Sequence, residues 1–383
     1  MHRIKSISVI ISLLLLSACI KPYDPVIDAS AKNKYVVSGR VTNTEGWQDV
    51  EVSLSSPIES PKYIPVPACK VRILDDKGNI FSLEEYQPGQ YHVWMGQEYL
   101  TPGTSYKVKV TTPDGEELES GFDKMPKGPK LDSVYYSIVD IPTPNPSVTQ
   151  SMAQFYVDLD AVGDYSQFYK WEVIETWEYH SPHPAQYYYD GDFHEIIPPD
   201  YSKMICWMNL LVKNVFTVST KNLSQNSYQK YPLHNIDGTT SRLTILYSML
   251  IRQLALSEAA YNYWEQLRIN SNEQGGLYEK QPLAIKGNLI NLTNSEIDVL
   301  GYFYASSEST KRYFYNEIEG ITVNSGNSCY EDRLGRFGWK EFFTWEYPIF
   351  FYYVINSVRI LTPGCIDCRQ LGGTTVKPDF WPL

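Results

Sequence analysis

The first residues whose spacing carries chemistry are Leu16-Ser17-Ala18-Cys19. They close a segment with Arg3 and Lys5 at its start and an apolar run from Ile7 to Leu16. A basic start, a short apolar run and small residues before the cut make a secretory signal. A cysteine directly after the small pair makes it a lipobox, in which the Cys19 thiol takes a diacylglycerol and the new amino terminus an acyl chain. Each buried CH2 adds ~0.8 kcal/mol, so several chains hold a protein firmly on a bilayer. The apolar run is too short for a membrane span, which needs ~20 residues. Residues 1–18 are therefore read as signal peptide, Cys19 as the lipidation site and residues 19–33 as a lipidated tether stiffened by Pro22 and Pro25. Ile20 is not aspartate, which fits sorting to an outer membrane.

Five cysteines remain: Cys69, Cys206, Cys329, Cys365 and Cys368. Outside the cytoplasm thiols tend to pair, and an odd number leaves one over. Cys69 shares the apolar face of an alternating strand with Val71 and Ile73, so it reads as a buried free thiol. Cys206, Cys329, Cys365 and Cys368 are the disulfide candidates, with all three pairings open. Cys365-Ile366-Asp367-Cys368 also has the spacing of a redox dithiol or of half a zinc site. It follows Thr362-Pro363-Gly364 in loop chemistry, however, whereas a redox pair opens a helix after a strand.

His180 and His183, with His194-Glu195 downstream, are weak metal-ligand candidates, because the surrounding prolines place them in loops and nothing fixes them on one face. No cofactor is expected: there is no HExxH, no P-loop and no GxSxG elbow. Asp158 and Asp160 alternate onto one strand face, where a solvated pair is the simpler reading than acid–base catalysis across a cleft. The better lead is aromatic. Trp177, Tyr179, Tyr187, Tyr188 and Tyr189 lie close in sequence, beside loop prolines and histidines. Such rings bring rigid amphipathic area at small entropy cost and could contact a sugar, a peptide, a cofactor or a partner protein, or simply pack in a core.

The elements that must position these residues are mostly strands. β-signals recur at Tyr35–Val41, Glu51–Leu54, Cys69–Leu74, Ile80–Leu83, Tyr91–Trp94 and Tyr106–Val110, separated by turn signals such as Asp75-Asp76-Lys77-Gly78-Asn79 and Pro113-Asp114-Gly115. Short strands with regular turns predict an immunoglobulin-like β-sandwich over residues 34–125. Pro126-Lys127-Gly128-Pro129 reads as a hinge. Residues 126–383 read as a larger β-rich α+β domain with strands at Leu131–Val139, Ala153–Leu159, Phe168–Glu178, Leu283–Ile290, Val299–Ser306 and Lys311–Glu317. One helix is predicted from Ser257, a good N-cap, to about Arg268. Leu243–Leu254 is ambiguous between strand and helix. The fold class is thus mainly β with at least one helix.

Composition removes whole classes of function. The 383-residue chain carries a net charge of −11, nearer −13 once the signal is cut. That argues against a nucleic-acid binder, which needs a basic face to displace counterions, and against docking on anionic lipid through a basic patch. Tyrosine supplies 31 of the aromatic residues, a bias that suits β-structure and wet contact surfaces.

Four stretches together carry a family resemblance: Ser257-Glu258-Ala259-Ala260-Tyr261-Asn262-Tyr263-Trp264; Gln281-Pro282 through Lys286-Gly287-Asn288-Leu289; Val299-Leu300-Gly301-Tyr302-Phe303-Tyr304-Ala305-Ser306 with Lys311-Arg312; and Cys365-Ile366-Asp367-Cys368 with Gly372-Gly373-Thr374 and Pro378-Asp379-Phe380-Trp381. With the lipobox, the chain resembles the Bacteroidota outer-membrane lipoproteins classed as a domain of unknown function, commonly encoded beside SusC-type TonB-dependent receptors. That resemblance implies no catalytic residues. It implies a place at the outer membrane, beside a TonB-dependent SusC-like barrel as partner. The expectation is a non-enzymatic, surface-exposed binding or accessory lipoprotein of an uptake complex. The rival expectations are a structural or assembly subunit without its own ligand, and an extracellular hydrolase.

Overall fold

Alternating apolar and polar residues become strands over most of the chain. In the computed structural model, residues 33–57, 60–142, 149–189, 193–272, 285–323, 331–333, 349–354, 357–361 and 363–382 are described. The first strands are β1 (Tyr35–Thr42), β2 (Gly46–Leu54), β3 (Ile64–Pro65), β4 (Lys70–Asp75), β5 (Ile80–Ser82), β6 (Glu84–Gln87), β7 (Gln90–Met95), β8 (Ser105–Thr111), β9 (Glu117–Ser120) and β10 (Asp123–Lys124). There follow β11 (Val134–Pro142), β12 (Thr149–Asp160), β13 (Phe168–His180), β14 (Ala185–Tyr189), β15 (Phe193–Asp200), β16 (Ile205–Leu211), β17 (Phe216–Ser219), β18 (Ser227–Asp237) and β19 (Tyr247–Ala255). After the helix α1 (Glu258–Asn272) come β20 (Leu289–Asn291), β21 (Phe303–Tyr315), β22 (Glu331–Arg333), β23 (Ile349–Val354) and β24 (Ser357–Leu361).

The predicted turn at 75–79 shows how local chemistry sets register. Asp75 Oδ1 accepts from the amides of Lys77 (3.0 Å) and Asn79 (2.8 Å), and Gly78 takes the left-handed φ of 92° that the reversal needs. β4 and β5 then pair antiparallel. The sheet β20-β9-β8-β4-β5 faces the sheet containing β1, β2 and β7. Val37, Val52 and Tyr91 from one side meet Ile73, Val108 and Val110 from the other, all buried. Cys69 lies at the edge of this core as the free buried thiol the sequence predicts.

This core is not made by residues 34–125 alone. β20 pairs with β9, and the first residues of β21 pair parallel with β1, so Leu289, Phe303 and Ala305 complete it. The mainly-β class with a helix therefore holds, but the finer immunoglobulin-like assignment does not follow from it, because strands from the second half finish both sheets. The hinge segment is also tied down. Pro126 O accepts from Ser307 Oγ (2.5 Å), Lys127 O from the Ser166 amide (3.0 Å) and Pro129 O from Gln253 Nε2 (3.2 Å).

β21 is the strand on which the molecule turns. Its first residues pair with β1; from Ser307 to Tyr315 it pairs antiparallel with β19. Two predicted strands, Val299–Ser306 and Lys311–Glu317, are thus largely one, and a ten-stranded sheet runs β16-β13-β19-β21-β1-β2-β7-β6 along its main path. The approach to β21 is tight at Gly301, with φ 93°, where an added Cβ would lie 2.1 Å from Val37 O. Gly301→Ala is expected to destabilise by roughly 2–4 kcal/mol, combining a left-handed backbone with a backbone clash. A chemical-denaturation midpoint equal to wild type would contradict this junction.

A second core lies between β13 and β19 and the sheet β11-β12-β18. Phe155, Trp171, Val173, Tyr247 and Met249 fill it, and Trp171 Nε1 donates to Gln253 Oε1 at 3.1 Å. Leu243–Leu254, ambiguous in sequence, holds all of β19 but its last residue, Ala255. The helix is capped as predicted: Ser257 Oγ accepts from the Ala260 amide (3.1 Å) and donates to Asp123 Oδ1 (2.6 Å). That second bond ties α1 to β10. A further five-stranded sheet has the order β15-β14-β23-β24-β22.

Candidate functional site

The outer face of the ten-stranded sheet, opposite the first core, carries a cleft of about 670 Å³. Register explains its lining, because cross-strand partners share a face. Glu172 on β13 is partnered by Arg252 on β19, Arg40 on β1 by Tyr304 on β21, and Ser38 on β1 by Glu51 on β2. Beside the lining, on the same sheet face, Trp94 on β7 is the partner of Trp47 on β2, and His92 sits between Asp49 on β2 and Glu84 on β6. α1 covers the β13 end with Trp264.

The two ends differ in chemistry. Beneath the helix, Glu172 Oε1 accepts from Arg40 Nη1 (2.7 Å) and Lys170 Nζ (2.9 Å), with Arg252 Nη1 at 3.8 Å from Oε2. Burial alone would raise the Glu172 carboxyl, but Lys170 and Arg40 outweigh it and hold the group down at about 2. Lys170 Nζ also lies 3.4 Å from the centre of the Trp264 ring. Arg252 is the least committed cation there, with its other carboxylate contact, to Glu308, at 3.9 Å. The opposite end is aromatic. Trp47 stacks on His92 (4.0 Å between centroids, 17° between planes), and Tyr86 stacks on the same imidazole (4.4 Å, 20°). Trp94 meets Trp47 edge-on at 5.6 Å. Trp47 is 54% and Trp94 53% exposed, so these rings form a surface and not a core.

The residues singled out by sequence fall elsewhere and do not converge. Trp177 and Tyr179 lie in the second core on β13. Arg242 stacks over the Trp177 ring at 4.6 Å, and the Tyr179 hydroxyl donates to Cys368 O (2.6 Å) while accepting from the Gly373 amide (3.1 Å). Burial takes both out of any contact surface. A central strand covered on both faces reads, one residue at a time, just like an aromatic binding run. Tyr187 and Tyr188 are half-buried on β14; the Tyr187 hydroxyl lies 3.3 Å from Glu195 Oε1, and Tyr188 stacks on His194 at 4.6 Å. The side chain of Tyr189 lies outside the described residues. His180 Nε2 sits 2.7 Å from Glu178 Oε1, and the His183 amide donates to Cys365 O (3.2 Å). Among the described residues no group of three or more His, Cys, Asp or Glu converges as a metal site. Asp158 and Asp160 are spent locally, Asp158 on the Tyr135 hydroxyl and the Lys230 amide, Asp160 on the Val162 amide.

Cys206 and Cys368 form a disulfide. Cys365 is disulfide-bonded too, to a partner outside the described residues, as is the position of Cys329. The two cysteines of the Cys365–Cys368 pair are thus each used for cross-linking, and neither remains as a dithiol. Cys19 also lies outside the described residues.

Sequence reasoning missed the cleft, because its lining runs from Ser38 to Glu308 and no local motif contains it. It also missed a buried cluster in the second core. Glu175, 2% exposed, accepts from Arg242 Nε (3.1 Å) and the Tyr247 hydroxyl (2.9 Å) and lies 3.0 Å from His234 Nε2. Burial pushes that carboxyl up; His234, Arg242 and Tyr247 together bring it below its usual range.

Fold and cleft together define a β-rich protein with an open cleft on one face of its ten-stranded sheet. The family model described as Domain of unknown function (DUF4249) matches residues 20–312, and the chain belongs to that family. No curated protein matches. Among solved structures, trypsin-activated alpha-2-macroglobulin from Escherichia coli is 9% identical with a TM-score of 0.18, over 59% of this chain and 15% of that one. The chain thus spans less than a sixth of that protein's length, and a likeness at this TM-score carries no argument.

Proposed function

We propose that this protein is a lipid-anchored outer-membrane lipoprotein of a Bacteroidota cell, exposed at the surface, which serves as a non-enzymatic binding or accessory subunit of a TonB-dependent uptake complex. The observation that carries the reading is the cleft on the outer face of the ten-stranded sheet. It is open, rigidly backed by paired strands, and furnished with exposed rings at one end and fixed charges at the other. Concave sites with a few placed polar groups are where proteins hold ligands. The lipobox at Cys19 supports the anchor, and the family resemblance supports a SusC-like barrel as partner.

Two experiments test it. Cys19→Ala is expected to move the protein from the membrane fraction to the soluble fraction; retention of the variant in the membrane would overturn the anchor. A gentle detergent pull-down of the tagged native protein is expected to bring down a TonB-dependent barrel in stoichiometric amount. Recovery of the protein alone would contradict the uptake reading, and recovery with barrel-assembly or secretion subunits would replace it with the structural one.

A further inference from the structure

The aromatic end of the cleft has a charge character distinct from the helix end. Trp47 and Tyr86 expose their rings in the cleft and Trp94 exposes its ring beside it, and Asp49 and Glu84 flank the same patch as cross-strand partners of His92. Glu51 follows Asp49 on the same face of β2, and Glu45 also lines the cleft. The cations of the cleft, Arg40, Lys170 and Arg252, are gathered around Glu172 at the other end. Among the described residues no lysine or arginine forms an ion pair with Asp49, Glu51 or Glu84. The negative field reaches the rings: after burial, Asp49 and Glu51 are what hold the Tyr86 phenol above its usual range.

Exposed rings and carboxylates without a cationic partner on one rigid face complement one kind of group. A ring face attracts a cation through its quadrupole. A planar guanidinium both stacks on such a face and donates to carboxylates, and an alkylammonium does so as a point charge. A neutral polar ligand would use the rings and leave the negative charge of the patch uncompensated; an anionic one would be repelled.

We propose that the Trp47–Tyr86–Trp94 patch with Asp49 and Glu84 binds an organic cation, a guanidinium or alkylammonium group carried by a basic peptide or a polyamine. The assignment rests on the binding role proposed above and names its ligand class. Cations approach over the exposed faces of Trp47 and Tyr86, and the carboxylates on β2 and β6 fix them.

The test is titration of the full-length protein with a tetra-arginine peptide and with spermidine, read by calorimetry, with a tetra-glutamate peptide and maltohexaose as controls. Saturable binding of tetra-arginine is expected, weakening as salt rises. Trp47→Ala is expected to weaken it about tenfold through the lost ring face. Asp49→Asn is expected to weaken it and flatten its salt dependence. Both residues are exposed, so the variants should keep the wild-type melting curve. Binding of tetra-arginine alone assigns the site to a peptide, and equal binding of spermidine assigns it to organic cations at large; both support the proposal. Absence of saturable binding by either cation overturns it. So does binding unchanged in both variants, or salt-independent binding of maltohexaose in place of the cations. A barrel in the pull-down with no cation binding would sink this assignment alone, and cation binding without a barrel would sink only the partner.

Discussion

Replacing both bridged cysteines, Cys206→Ala with Cys368→Ala, is expected to lower the stability of the protein by about 3–5 kcal/mol. The bridge joins residues 162 apart in sequence, across which an unfolded chain gains a large loop entropy when the link is cut. The chain-entropy model puts a loop of this size near ~5 kcal/mol, and the lower end allows for residual structure in the unfolded chain. Other bonds hold the same segment. The Trp207 amide donates to Thr374 O (2.8 Å), Tyr179 clamps Cys368 O and the Gly373 amide, and Trp381 Nε1 donates to Glu178 Oε2 (2.9 Å). The expected result is therefore a lower urea midpoint with the fold retained at neutral pH, and faster hydrogen exchange at residues 365–381. Equal midpoints for the variant and wild type would show that these bonds suffice without the bridge.

Glu175→Gln is expected to cost a similar ~3–5 kcal/mol, because breaking one side of a buried charge cluster strands the other. Arg242 keeps its guanidinium over Trp177 but loses the carboxylate at 3.1 Å, and the buried Tyr247 hydroxyl loses its charged acceptor at 2.9 Å. The pH dependence has a definite sign. Glu175 is held below the ordinary carboxylate range in the folded state, so its stabilisation is complete above the unfolded value of ~4.3 and fades as pH falls through the folded one. Glu172 behaves alike, with the window running from ~4.3 down to about 2. Wild-type protein should thus lose stability on acidification below ~pH 4.3, and Glu175→Gln should show a shallower acid limb from a lower starting point. Parallel acid limbs in the two proteins would mean Glu175 carries no net charge effect.

The strands of the first core were legible because each buries one face. Tyr106, Val108 and Val110 alternate with Ser105, Lys107 and Lys109, and the Asp75–Asn79 turn announces itself by residue type. The helix was legible from Ser257 and the spacing of Tyr261 and Trp264. The strands between Ala185 and Asp237 were not, because residues such as Ser227, Gln229 and Lys230 on β18 mix polar side chains into a strand whose pairing shifts register twice. β21 read as two strands because Ser307, Glu308, Ser309 and Thr310 look like a loop. In fact they lie where the strand changes partner from β1 to β19. The site was the least legible part. Trp177 and Tyr179 lie close in sequence to Tyr187 and Tyr188, but β13 ends between them, leaving the first two in the core and the last two half-buried on β14. The rings that do form a surface, Trp47 and Trp94, are distant in sequence and meet only through the β2–β7 register.

We propose that the outer face of the ten-stranded sheet is where this protein makes its functional contact. The most direct measurement is hydrogen exchange by mass spectrometry on the protein extracted gently with its native partners, compared with the same protein after a high-salt wash. Protection confined to Gly46–Leu54, Glu84–Gln87 and Gln90–Met95 that disappears on washing is the predicted result. Protection that falls instead on the β16 edge at Ile205–Leu211, with the β2 and β7 amides unchanged, would contradict it.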